Sequence, residues 1–186
     1  AAIGGKTAIN SDYGKNLIGA FHSPIKVIID LDWFSTLSDR DFAAGLAEVV
    51  KCGFIADGKI LDLLRGKKVS DLRREQSLVK ELVERSVKVK SEVVSQDFKE
   101  SFAREALNYG HTLGHAIELE SKFSLRHGEC VAIGMAFMAH LQLALGLISS
   151  ELAQDHLDIL QGLDLPTSYK RQAWPTLLAN MSLDKK

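Results

Sequence analysis

The stretch from Arg104 to Glu129 holds the residues whose types and spacing are best suited to chemistry. It reads REALNYGHTLGHAIELESKFSLRHGE. Wound as a helix at about 100° per residue, its polar side chains fall within roughly 80° of one another. These side chains are Arg104, Asn108, His111, His115 and Glu118. Such groups rarely line up beside apolar neighbours without a bound partner, so this face is the candidate active site.

Two imidazoles one helical turn apart, His111 and His115, suit a divalent metal ion. Their Cβ atoms would be about 5–6 Å apart, and zinc takes nitrogen ligands at ~2.0–2.1 Å. His127 follows a short break and could join them, and Glu48 shares an apolar helix face where a solvated carboxylate is not expected. Three protein ligands with an open position are typical of a catalytic metal site. The spacing does not decide which histidines bind, and satisfied core histidines remain the alternative.

Two glycines, Gly110 and Gly114, interrupt the same stretch. Glycine costs helix propensity, so we expect a close backbone approach by a ligand or by another helix at these positions.

Several charged residues elsewhere are candidates for binding anions or moving protons. Lys51 follows Glu48 by three residues and either binds an anion or forms an ordinary i,i+3 ion pair. Glu100 is a candidate general acid or base, or else a charge at a helix N-terminus. The glycine-rich opening places further donors in a loop, where they would reach phosphate or carboxylate oxygens or be solvated: Lys6, Lys15 and Asn16.

The elements that must position these residues are mainly helices. Residues 1–25 contain loop-forming glycines and a proline, and KVIIDL at 26–31 predicts a short buried strand without neighbours in this chain. Ser38 is a candidate N-cap for a helix over 39–55. Hydrophobic periodicity predicts further helices over 58–64, 71–95, the Arg104 stretch, 127–147 (Ala- and Gly-rich and tightly buried), 150–160 with Ser149 or Ser150 as cap, and 175–181.

Composition and charge narrow the function classes. With 186 residues the chain is one domain or a little more. A net charge of −1 argues against binding to nucleic acid or an anionic membrane by bulk electrostatics. The two cysteines do not make a disulfide framework, and no signal peptide or membrane-spanning stretch is visible. A cytoplasmic location is therefore expected.

Five motifs in register resemble the 3-dehydroquinate synthase family. In chain order they are IGGKTAIN, YGKNLIGAFHSP, AAGLAEVVKCGFIAD, LNYGHTLGHAIE and HGECVAIGM. The resemblance runs from residue 1 to about Gly146, and the terminal DKK fits it again. It implies a mainly α fold: residues 38–186 as the multi-helix metal- and substrate-binding domain, and residues 1–37 as a short β/loop remnant of an α/β NAD-binding domain.

The resemblance also implies a reaction and its cofactors. Members of this family convert 3-deoxy-D-arabino-heptulosonate 7-phosphate to 3-dehydroquinate with loss of phosphate, in the shikimate pathway. They are lyases that use NAD and a divalent metal, zinc or cobalt, and are homodimers. The partner expected here is thus a phosphorylated sugar acid.

Roles carried over by motif position assign the metal to Glu48, His111 and His127. His115 then becomes a proton-handling group near the substrate phosphate, with Glu100 as the other acid–base candidate. Substrate binding falls to Lys6, Asn16, Lys51, Lys90, Arg104, Asn108 and a terminal lysine, Lys186. NAD would contact Lys15 and the segment Trp33, Phe34, Ser35 and Thr36.

The chain departs from the family because most of the N-terminal domain, with any dinucleotide fingerprint, is absent. We therefore expect metal binding and weak substrate binding, without turnover, from these 186 residues alone. The nearest alternatives are another sugar-phosphate cyclase of the superfamily, a glycerol-dehydrogenase-like metal enzyme, and a non-catalytic helical module with a vestigial metal site.

Overall fold

The computed structural model describes residues 3–11, 14–96 and 102–182. Within them, helices dominate and the sheet has two strands. The predicted mainly α fold is confirmed.

An antiparallel β-hairpin begins the described chain. Strand β1 (Lys6–Ser11) pairs with β2 (Gly14–Phe21), with Thr7 opposite Ala20 and Ile9 opposite Ile18. The glycines of residues 1–25 indicated a loop-rich stretch and did not predict this hairpin, whose two strands stabilise each other through cross-strand pairs.

The predicted buried strand at 26–31 was also wrong. Residues 22–30 contain no regular secondary structure, and Ile28 is 81% exposed. A β-branched run forms a strand only where a neighbour pairs with its backbone, and the described residues provide none. A 3₁₀ segment, Leu31–Thr36, follows.

Four helices form the first half of the helical region. Helix α1 (Asp39–Ile55) begins as predicted, because the Ser38 side chain accepts a hydrogen bond from the backbone N–H of Asp41. Helices α2 (Gly58–Leu64), α3 (Val69–Arg74) and α4 (Gln76–Gln96) follow. The single helix predicted over 71–95 is thus two, interrupted at Glu75.

The Arg104 stretch is not one continuous helix, so that part of the prediction was wrong. A 3₁₀ segment (Phe102–Asn108) precedes helix α5 (His111–Glu120). Gly110 lies between them with a φ of 76°, in the left-handed region that ends a right-handed helix.

The last helices are α6 (His127–Ala144), α7 (Ser150–Gly162) and α8 (Trp174–Ser182), with a 3₁₀ segment, Arg171–Ala173, before α8. Ser149 caps α7 as expected. Helix α6 is the central one, because its side chains contribute to two apolar clusters. One cluster is formed with α1–α4 and α7, and the other with α5 and α8. Val131 and Met135 are fully buried, which confirms the predicted tight burial.

Among the described residues, no helix combines the length and the apolar character that crossing a bilayer requires.

Candidate metal centre

Three helices bring one carboxylate and two imidazoles together. Glu48 lies on α1, His111 begins α5 and His127 begins α6. Glu48 Oε1 is 3.2 Å from His111 Nε2 and 3.2 Å from His127 Nε2. One atom from each side chain falls within 4.8 Å of the others, an arrangement that could hold a metal ion.

Glycine contacts set the spacing of these helices beside the ligands. A Cβ added at Gly128 would overlap the backbone oxygen of Ala44, one turn of α1 before Glu48. A Cβ added at Gly134 would overlap the backbone oxygen of Gly110, next to His111. Gly110 in turn lies against the Met135 backbone, so the close helix approach expected there is found. Side chains at these positions would push the ligand-bearing helices apart.

An ion pair braces α1 against α6 at their N-terminal ends. The Arg40 guanidinium donates to both carboxylate oxygens of Glu129, at 2.6 and 2.7 Å. Glu129 also accepts from the backbone N–H of Arg126, at 2.7 Å. Two parallel hydrogen bonds fix both the separation and the relative orientation of the two side chains. The pair therefore holds the start of α6, with His127, against α1, which carries Glu48.

The second nitrogen of each imidazole has its own partner. His111 Nδ1–H donates to the backbone carbonyl of Tyr109 at 3.1 Å. His127 Nδ1–H donates to Glu118 Oε2 at 3.1 Å. A proton on Nδ1 of a neutral imidazole leaves the lone pair on Nε2. When both rings are neutral, their Nε2 lone pairs therefore face the same oxygen, Glu48 Oε1; when a ring is protonated, its Nε2–H donates to that oxygen instead.

These atoms fit a divalent cation. The two imidazole lone pairs and the carboxylate oxygen that they face repel one another unless a proton or a cation lies between them. Ligands on a tetrahedron with bonds of ~2.0–2.1 Å are about 3.3–3.4 Å apart, close to the 3.2 Å that separates Glu48 Oε1 from each Nε2. Imidazole nitrogen with carboxylate oxygen is a donor set that zinc accepts.

The charges of the cluster keep Glu48 ionised, which is the form that binds a cation. In the absence of a cation, they favour a proton on His127. Burial opposes ionisation of Glu48, but hydrogen bonds from His111 and His127 and the charge of Lys51 hold the pKa of Glu48 well below its usual range. Hydrogen bonds to Glu118 and Glu48 raise the pKa of His127 to about 9. Without a metal ion, the His127 ring is therefore protonated on both nitrogens and positively charged at neutral pH.

The cluster lines a cavity of about 550 Å³ that also holds polar side chains predicted to bind substrate. Lys51 is 5% exposed, and its Nζ donates to Glu48 Oε2 at 2.6 Å. Lys90, Asn108 and His115 line the same cavity. The His115 ring centre is 5.4 Å from that of His111. Two cations, an amide and an imidazole therefore surround the space beside the candidate metal centre.

The segment predicted to contact NAD does not line this cavity. Trp33 is 72% exposed and lines a separate cavity that includes Lys90. The Phe34 ring packs edge-on against Phe42, with ring centres 5.8 Å apart. The hydroxyls of Ser35 and Thr36 donate to backbone carbonyls of their own 3₁₀ segment.

Several predicted site residues fall outside what the structure describes. Glu100 and Lys186 lie outside the described ranges, and the side chains of Lys6, Lys15, Asn16 and Arg104 are not described. Their roles stay predictions.

Sequence reasoning gave no role to four groups at the site: Glu118, the Tyr109 carbonyl, Arg40 and Glu129. Glu118 stood out as part of the polar stripe, and its position three residues after His115 was the available signal. The Tyr109 carbonyl gave no signal, because a backbone oxygen belongs to every residue. The pairing of Arg40 with Glu129 spans 89 residues, so no local pattern reveals it.

Comparison with known proteins decides the family. The C-terminal 3-dehydroquinate synthase model matches residues 45–186 and the N-terminal model matches residues 1–44. The chain belongs to the 3-dehydroquinate synthase family. It is 50% identical over all 186 residues to a 3-dehydroquinate synthase of Paenarthrobacter aurescens, covering 51% of that protein. The chain thus spans about half the length of the curated relatives it matches.

Solved structures with the same fold are sugar-phosphate-cyclase-like enzymes. A 2-epi-5-epi-valiolone synthase from Streptomyces hygroscopicus subsp. jinggangensis, with NAD⁺ and Zn²⁺ bound, superimposes with a TM-score of 0.89 at 27% identity. The match covers 97% of this chain and 51% of that one. A 2-deoxy-scyllo-inosose synthase complexed with carbaglucose-6-phosphate, NAD⁺ and Co²⁺ has a TM-score of 0.80 at 26% identity, covering 100% and 51%.

Proposed function

We propose that this chain forms the metal- and substrate-binding part of a 3-dehydroquinate synthase. The reaction is the conversion of 3-deoxy-D-arabino-heptulosonate 7-phosphate to 3-dehydroquinate with elimination of phosphate, in the shikimate pathway. The observation that carries the proposal is the convergence of Glu48, His111 and His127 beside buried Lys51, in a chain that matches this family along its whole length.

The proposed metal ligands are Glu48 Oε1, His111 Nε2 and His127 Nε2, and the proposed ion is zinc or cobalt. When bound, the cation supplies Lewis-acid polarisation of substrate hydroxyl oxygens, and NAD supplies a hydride acceptor and donor. The chain's own contribution is to hold the three ligand atoms on packed helices. The metal can then bind without reorganisation of the backbone.

The lysines of the cavity suit a substrate with a phosphate and a carboxylate. Lys51 and Lys90 supply positive charge, and the Asn108 amide can donate to or accept from a substrate hydroxyl. A buried ammonium attracts an anion more strongly than a solvated one. His115 holds or delivers a proton beside the leaving phosphate, with Glu100 as the second acid–base group. Further substrate contacts are assigned to Lys6, Asn16, Arg104 and Lys186.

NAD contacts are assigned to the N-terminal segment. Lys15 and the residues Trp33, Phe34, Ser35 and Thr36 would meet the dinucleotide, and we place the domain boundary between residues 37 and 38. The Ser38 cap that starts α1 supports this boundary.

The other proposed properties concern location and assembly. We propose a homodimer in the cytoplasm that binds neither nucleic acid nor membrane. The near-zero net charge and two buried free cysteines support a reducing compartment without polyanionic partners.

A chimera tests the proposed function directly. This chain replaces the matching 186 residues of the Paenarthrobacter aurescens relative, and phosphate release is measured with the heptulosonate phosphate, NAD and zinc. We expect turnover that a chelator abolishes and that Glu48→Gln reduces by more than about 100-fold. Product identification by NMR separates this reaction from other cyclases: inosose or valiolone formation would contradict the proposal. A chimera that folds but neither binds zinc nor turns over would identify a non-catalytic module.

A further inference from the structure

Glu118 is a buried carboxylate with no role in the proposed reaction. It lies on α5, is 5% exposed, and its Oε2 accepts from His127 Nδ1–H at 3.1 Å. Burying a carboxylate is costly unless a hydrogen bond and a positive charge compensate it. The contact to His127 provides such compensation, and this links Glu118 to the candidate metal centre.

We propose that Glu118 is a positioning residue for the metal ligand His127. Its carboxylate fixes the ring in the tautomer that carries a proton on Nδ1 and aims the Nε2 lone pair at the site beside Glu48 Oε1. The inference rests on the metal centre proposed above.

The two histidines differ in how firmly the protein surrounds them, and this difference explains why His127 needs a carboxylate. The His111 side chain is 10% exposed, so packing and a neutral carbonyl hold its ring in place. The His127 side chain is 40% exposed, so packing leaves its ring freer to turn. A hydrogen bond to a carboxylate restores the orientation and makes the imidazole a better electron donor to a metal.

A competing reading makes Glu118 a metal ligand. His115, Glu118 and His127 form a second trio whose atoms lie within 4.8 Å of one another. Because Glu118 contacts His127 through Nδ1, an ion in that trio would have to displace the Nδ1 proton. A ring that also bound an ion through Nε2 would then be an anion. The observed hydrogen bond keeps Nδ1 protonated, which favours the positioning role.

The test compares Glu118→Gln and Glu118→Ala with the parent protein, and uses Glu120→Gln as a matched control. Glu120 is on the same helix and hydrogen-bonds Tyr169 rather than a histidine. Zinc affinity is measured against a competing chelator at pH 7.5 and pH 9, metal stoichiometry by elemental analysis, and the His127 tautomer by ¹H–¹⁵N NMR of the zinc-loaded protein. Circular dichroism checks that each variant is folded.

We expect Glu118→Gln to weaken zinc binding by about 10-fold and Glu118→Ala by up to about 100-fold. Glu120→Gln should bind as the parent does. The parent should bind one zinc per chain, with His127 protonated on Nδ1, and Glu118→Ala should change the NMR signature of that ring.

Three results would overturn the inference. If the parent binds zinc tightly and Glu118→Gln binds it equally well, with an unchanged His127 tautomer, the positioning role is wrong while the metal centre stands. Two zinc ions per chain, one of which Glu118→Gln removes, would show a direct ligand instead. A folded parent that binds no zinc would overturn the metal centre and the inference together.

Discussion

The helix contacts around the candidate metal centre contrast with the segment between the hairpin and α1. At the centre, His111 is 8% exposed and Val131 of the neighbouring helix is fully buried. In the segment, Ile28 is 81% and Trp33 72% exposed. Both regions contain residues with proposed roles. The packing of this chain positions the candidate metal ligands, whereas it leaves Ile28 and Trp33 of the segment proposed to contact NAD largely exposed. Substitutions should therefore have large effects in the first region and small ones in the second.

The largest effect should follow from Gly134→Ala. The added methyl group would overlap the Gly110 backbone oxygen and force α5 away from α6. Overpacking at a backbone contact should lower the free energy of unfolding by about 3 kcal/mol, measured by urea denaturation. Gly45→Ala is the matched control, because a Cβ at Gly45 of α1 meets nothing within 4 Å. That control should stabilise by up to about 1 kcal/mol. Equal effects at the two glycines would contradict the packing account.

The next effect is on metal affinity. His111→Ala removes a proposed ligand, and zinc affinity should fall by more than about 100-fold, beyond what loss of a supporting residue causes. Trp33→Ala, in the exposed segment, should leave the affinity unchanged within a factor of about two. Both are measured by competition with a chelator. A Trp33→Ala variant that loses zinc would show that the segment supports the metal centre.

A smaller effect should appear in the pH dependence of stability. Burial lowers the pKa of His156 below its ordinary value of 6.5. Its Nδ1–H donates to the Leu152 carbonyl at 2.8 Å, and its Nε2 lies 3.1 Å from the Tyr109 hydroxyl. As the pH falls below about 6.5, the unfolded chain therefore takes up the proton before the folded chain does. The free energy of unfolding then decreases, by at most about 1.4 kcal/mol per pH unit for this one group.

The measurement is urea denaturation between pH 7.5 and pH 5. His156→Gln should flatten the slope relative to the parent, and His22→Gln, in the exposed segment, should leave it unchanged. The same slope in His156→Gln as in the parent would contradict the role of this histidine.

The smallest effect on the free energy of unfolding is expected for the same substitution, isoleucine to valine, made at a buried and at an exposed position. Ile60→Val on α2, a fully buried position, should cost about 0.5–1.5 kcal/mol because it removes a packed methylene. Ile28→Val should change the free energy of unfolding by less than about 0.5 kcal/mol. A cost at Ile28 equal to that at Ile60 would mean that the segment is packed after all.

What the sequence predicts well is what depends on local signals. Ser38 and Ser149 start their helices through side-chain caps, which neighbouring residues determine. The Ala- and Gly-rich composition of α6 predicted its tight burial among other helices. The family, and with it the mainly α class, followed from motifs in register.

What failed depends on partners distant in sequence or on backbone conformation. The 26–31 run has the composition of a strand, but composition cannot supply a neighbour. The break at Gly110 needs a left-handed residue that helical periodicity does not anticipate. For the candidate site, spacing alone left the choice between His115 and His127 open. The position of His127 beside Glu48 and His111 depends on close helix contacts at Gly128 and Gly134, which are properties of the folded chain.

The two carboxylate oxygens of Glu48 have different partners, and this couples the binding of a cation to the binding of an anion. One oxygen faces the histidines and the other accepts the Lys51 ammonium at 2.6 Å. An anion that binds Lys51 weakens the ion pair between Lys51 and Glu48, so that Glu48 binds a cation more strongly. A cation that binds Glu48 weakens the same ion pair, so that Lys51 binds an anion more strongly. Such linkage is reciprocal by thermodynamic necessity, so each kind of ion should raise the affinity of this cavity for the other.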